Sequence, residues 1–182
     1  MENVMTEKYF GHFLDFSLPF IMAAQNVFET MIFTKIELQR PDIKKKPISV
    51  GDINTIMDIS GMVKEGESET KFKGKLIISF PLSTYLKIAS AMLSEEYNEL
   101  NNDIMDVGAE INNMITGAAK KGLNNIGHYI RMSTPTTVYG KGVTLKSEPP
   151  STVITIPVLT AYGPFTLELC YAEGPKLNIQ TR

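Results

Sequence analysis

Residues 103–124, DIMDVGAEINNMITGAAKKGLN, decide how this chain is read. Ile104, Val107, Ile111, Met114, Ile115, Ala118 and Leu123 recur at three- and four-residue intervals, the spacing that lines one face of an α-helix. The pattern predicts a helix from Asp103 to Asn124, with Gly122 and Gly127 bracketing its end. A second stripe, Asp106, Glu110, Asn113, Gly117 and Lys120, falls on the opposite side of the same helix.

Upstream, Pro81 stops a strand and Ser83 can cap a short helix whose buried stripe is Tyr85, Leu86, Ile88, Ala89, Met92 and Leu93. Thr55–Val63 and Lys75–Phe80 read as hairpin strands around a polar turn, Lys64–Lys71. The continuous run Leu76, Ile77, Ile78 predicts a central strand covered on both faces. Phe20, Ile21, Ala24, Val27, Phe28, Met31 and Ile32 predict another helix from Leu18 to Ile32, with Pro19 in its first turn. Phe33–Leu38 reads as a strand, and Gln39–Gly51, with Lys44, Lys45 and Lys46, as a solvated connection. Downstream come three strand-like runs, Tyr129–Gly140, Thr152–Leu159 and Phe165–Tyr171, the last two joined by a tight Ala161–Pro164 turn. Strands segregated from long helices imply an α+β layer structure.

Composition narrows the class. A chain of 182 residues with 43% hydrophobic and 21% charged residues suits one globular core. We divide it as an extension over 1–18, a domain over 19–175 and a tail over 176–182. A net charge of −2 lacks the excess that binding a phosphate backbone usually shows. One cysteine, Cys170, forms no intrachain disulfide, and with His12 and His128 it gives no zinc-ligand spacing, so a reducing cytoplasm is expected. Residues 1–20 lack the order of a signal peptide, and no apolar run reaches the roughly 20 residues that span a bilayer. His12 and His128 stand alone in the sequence and are assigned no role.

The polar stripe of the long helix reads at first as an ordinary solvated face. Three residues argue for contact instead. Gly117 costs about 0.8–1 kcal/mol relative to alanine in a helix interior, and its missing side chain admits a close partner. Asn113 is a poor helix former for a wet face, yet its amide can hold and aim a water molecule. Glu110 lies one turn before it and can engage a partner's cation.

Asp106-x-x-x-Glu110-x-x-Asn113, followed by Pro135, resembles the signature of the CheC/CheX/FliY phosphatases of bacterial chemotaxis. The stretch DVGAEINNMITGAAKKGL, with Ile88–Leu93 and Gly163-Pro164-Phe165, is most similar to the CheX branch. The first helix, PFIMAAQNVFETMIF, has no glutamate three residues before an asparagine, so one active helix per chain is expected. The resemblance implies an antiparallel-rich sheet with the two long helices packed on one face. It implies hydrolysis of the acyl phosphate on the aspartate of a CheY-like response regulator. Asn113 would orient the water and Glu110 would pair with the regulator's lysine, with Asp106 and Gly117 at the partner contact. Asp106 reads equally as an acid favoured by the helix dipole. Mg²⁺ would sit in the regulator's acidic pocket, so no cofactor of the chain's own is expected. The resemblance further implies a homodimer joined at sheet edges. The competing reading is a binding module that docks a receiver domain or a flagellar switch component without hydrolysis.

Overall fold

The computed structural model describes residues 2–44, 48–144 and 152–178. Its spine is a hairpin of two 13-residue strands, β3 (Ile53–Glu65) and β4 (Ser68–Phe80), paired from Ile53↔Phe80 to Glu65↔Ser68. The turn shrinks to Gly66 and Glu67, because strand pairing continues through most of the polar stretch read as a turn. Gly66 has φ +58°, a conformation that glycine adopts without steric cost.

Among the described residues every strand pairing is antiparallel, in the order β1 (Glu37–Leu38), β7 (Thr152–Thr160), β8 (Gly163–Asn178), β4, β3, β5 (His128–Met132). β1 (Glu37–Leu38) and β2 (Asp42–Ile43) both pair with β7 (Thr152–Thr160), which forms a hairpin with β8 (Gly163–Asn178). Only the last two residues of the strand expected over 33–38 are extended into the sheet. Lys45, Lys46, Pro47 and residues 179–182 of the expected tail lie outside the described residues.

On the other side, β5 (His128–Met132) and β6 (Thr136–Tyr139) pair with successive parts of β3. The single run expected over 129–140 is thus two strands, parted around Pro135, which cannot donate to a ladder. Ser133 occupies the gap, its Oγ accepting from the Asp58 amide at 3.1 Å and its own amide donating to the Asp58 carbonyl at 2.9 Å.

Helices α1 (Glu2–Met31) and α3 (Val107–Asn125) lie together against one face of the sheet, with α2 (Leu82–Leu93) beside them. The α+β architecture with two long helices on one face is as expected. α1 begins 16 residues before the expected Leu18, and Phe13 and Phe16 extend its buried stripe ahead of Pro19. Pro19 sits inside it, and the missing side chain of Gly122 on α3 accommodates the ring: a Cβ there would meet Pro19 Cβ at 3.2 Å. Phe16 packs on Phe20, Phe72 and Tyr171, and Phe28 stacks on Phe165 at 4.7 Å. Met31, expected in that stripe, is exposed. Leu76, Ile77 and Ile78 are all buried, Ile77 against Cys170 on the face away from the helices. The N-cap of α2 is Pro81, without a side-chain hydrogen bond, in place of Ser83.

Candidate active site on the third helix

The polar stripe is held outward by a buried one. Asn112 is fully buried, and its amide nitrogen donates to the Thr55 carbonyl, Thr55 Oγ1 and the Leu76 carbonyl, each at 3.2 Å. Thr116, one turn on, donates to Asn112 Oδ1 at 3.3 Å. The helix is therefore pinned to β3 and β4 by a satisfied polar network in the core, which fixes its rotation as apolar packing alone would not.

Its N-terminal end is fixed separately. Tyr85 of α2 donates from its hydroxyl to the Ile104 carbonyl at 2.6 Å and accepts the Gly108 amide at 3.0 Å. Burial pushes this phenol up to about 12, so it stays a donor. Gly108 allows the close approach: a Cβ there would meet Thr55 Cγ2 at 2.7 Å and Tyr85 Cε2 at 3.0 Å.

With that face fixed, Asp106, Glu110, Asn113, Gly117 and Lys120 are all exposed, and the structure brings the five expected residues onto one outward stripe. Asp106 occupies the N-cap position, and its carbonyl accepts the Glu110 amide at 2.9 Å, while its side chain makes no capping bond. Gly117 has open space where a side chain would stand. Ala118, expected on the buried face, is exposed, and Ala119 is buried in its place. The anchors Tyr85, Gly108, Asn112 and Thr116 were not read as such from sequence. Their signal was the row Gly108, Asn112, Thr116 at four-residue spacing, small and polar inside an apolar face.

The remaining reactive groups lie elsewhere. Cys170 is buried, and burial pushes its thiol up to about 12. His12 of α1 and His128 of β5, isolated in sequence, have ring centroids 6.2 Å apart. Among the described residues no group of three or more His, Cys, Asp or Glu could hold a metal ion, and no helix is long and apolar enough to cross a membrane.

The family model described as "Chemotaxis phosphatase CheX" matches residues 59–159, more than half of the chain. The chain belongs to the CheX family. It is 31% identical over 109 residues to the CheY-P phosphatase CheX of Thermotoga maritima, an alignment covering 56% of this chain and 64% of that protein. The fold is similar to the crystal structure of CheX from Vibrio vulnificus, with TM-score 0.71, 34% identity and coverage of 86% of this chain and 99% of that one. It is also similar to CheX from Desulfovibrio desulfuricans, with TM-score 0.73, 29% identity and coverage of 86% and 99%. Residues 59–159 include the whole of α3 and its anchors except Thr55, so the CheX match covers the outward stripe itself.

Proposed function

We propose that this chain is a protein phosphatase that hydrolyses the aspartyl phosphate of a CheY-like response regulator. The observation that carries the reading is the outward presentation of Glu110 and Asn113 on a helix whose opposite face is hydrogen-bonded into the sheet. The Thermotoga relative, named a CheY-P phosphatase, supports the substrate class.

Dephosphorylation of an acyl phosphate needs a water in line with the leaving carboxylate, and positioning with electrostatics supplies most of the acceleration. Asn113 holds and aims that water through its amide. Glu110 pairs with the regulator's active-site lysine, a charge-assisted contact that fixes the docked geometry. Asp106 meets the partner at the margin, and Gly117 lets the regulator's backbone approach where any side chain would stand in the way. Mg²⁺ belongs to the regulator in this scheme, and the chain works in the cytoplasm as a homodimer.

The test is the loss of acyl phosphate from Mg²⁺-loaded phosphorylated CheY with and without the full chain. Accelerated loss is expected. Docking of the receiver with no acceleration would replace this reading by the adaptor one.

A further inference from the structure

The face of the sheet away from the helices carries a basic groove that the phosphatase reading does not use. Asp58, Ser60, Met62 and Lys64 of β3, and Lys71, Lys73 and Lys75 of β4, point to that face, because their alternates fill the core. Register then aligns them in cross-strand rows. Ser60 stands between Lys73 and Arg131 of β5, Met62 between Lys71 and Tyr129, and Asp58 opposite Lys75. Clefts of about 570 Å³ and 880 Å³ open there and share Ser60, Lys73, Arg131 and Ala172, which joins them into one groove.

The acids around it are engaged. Asp58 pairs with Lys75 at 2.8 Å, Glu69 with Lys64 at 3.5 Å, and Glu173 turns to His12 at 2.5 Å. Lys71 and Arg131, both exposed, form no salt bridge among the described residues. These two cations therefore face solvent without an acidic partner, on a chain whose net charge is −2.

We propose that this groove docks an acidic, extended polypeptide segment of a partner protein. Lys71, Lys73 and Lys75, the last two already engaged within the chain, repeat every second residue, about 6.8 Å apart, which is the spacing of alternate side chains on an extended peptide, and Lys71 and Arg131 supply the charge a partner would meet. Met62 and Tyr129 offer apolar surface between the charges, as peptide side chains require. A second copy is a poor occupant, since two such grooves repel face to face. A nucleic acid is disfavoured by the rest of the surface, where Glu95, Glu96, Glu99, Asp103, Asp106 and Glu110 cluster in sequence before and within α3.

The test is fluorescence anisotropy of a labelled peptide of alternating Glu and Thr, titrated with the full chain. Parallel titrations use an alternating Lys and Thr peptide and an oligothymidylate of matching charge. Saturable binding of the acidic peptide is expected, weakening as salt rises and at least tenfold weaker in Lys71→Glu/Arg131→Glu, with Lys71→Gln/Arg131→Gln intermediate. No binding, equal binding by the variants, or tighter binding of the oligonucleotide overturns the proposal. Both variants retain wild-type dephosphorylation of CheY; a parallel loss of that activity would overturn the groove's standing as a separate site.

Discussion

Asn112 and Asn113 are adjacent in sequence and opposite in consequence. Asn112 spends its amide on β3 and β4, so Asn112→Ala leaves the Thr55 and Leu76 carbonyls short of a buried donor. We expect a loss of about 1–3 kcal/mol in stability, read from urea unfolding at unchanged m-value. Asn113→Ala, on the exposed face, should leave that midpoint within about 0.5 kcal/mol. Gly117 separates fold from function in the same way. Nothing stands within 4 Å of a Cβ placed there, so Gly117→Ala should raise stability by about 0.8–1 kcal/mol on helix propensity alone. If the regulator approaches this backbone, the same variant raises KM for phosphorylated CheY. A more stable and equally active variant would remove Gly117 from the contact.

The elements were legible where one period dominated the sequence. α3 follows from the period of its apolar face, the β3–β4 hairpin from two apolar runs around a polar stretch, though not the length of its turn, and the β7–β8 turn from Gly163-Pro164. The N-terminal half of α1 was not, since a proline at 19 reads as a start, and only the glycine at 122 across the interface shows why the helix runs through it. The anchoring of that half was equally hidden. His12 Nδ1 meets Glu173 Oε1 of β8 at 2.5 Å, and its Nε2 meets Glu65 Oε1 of β3 at 2.7 Å. Desolvation of the ring lowers its pKa, but the two carboxylates outweigh this and raise it above the ordinary histidine value. A raised folded pKa means that the stabilisation is full below about pH 6.5 and is lost as pH rises through the folded value. His128 has the opposite sign: burial lowers its pKa, so its contribution is present above the unfolded value and lost as pH falls. Unfolding midpoints measured from pH 5 to 9 should therefore lose part of their alkaline decline in His12→Gln and part of their acid decline in His128→Gln. Unchanged slopes would show that the ring at 12 does not bridge the carboxylates as an imidazolium.

Across the whole molecule, the family was legible from one helix and the α+β class from the element pattern, while the long-range contacts that hold that helix were not. Asp106, Glu110 and Asn113, with Pro135, carried the family resemblance, whereas the polar core beneath the helix depends on Thr55 and Leu76, far away in sequence and close only after the sheet forms. The sheet ends in short strands, β1 and β2 at one side and β5 and β6 at the other, which leaves backbone groups for strand addition. A homodimer through such an edge predicts sedimentation at twice the monomer mass at micromolar concentration, and a monomer there would exclude pairing through either edge.

Whether the outward face of α3 hydrolyses or only binds is read from single-turnover loss of acyl phosphate from Mg²⁺-loaded CheY, comparing the wild-type chain with Asn113→Ala at saturating concentration. Asn113→Ala is expected to dock the regulator still and to lose about 10²-fold or more of the acceleration, the scale of removing one preorganised polar group. Wild-type acceleration by Asn113→Ala would contradict it.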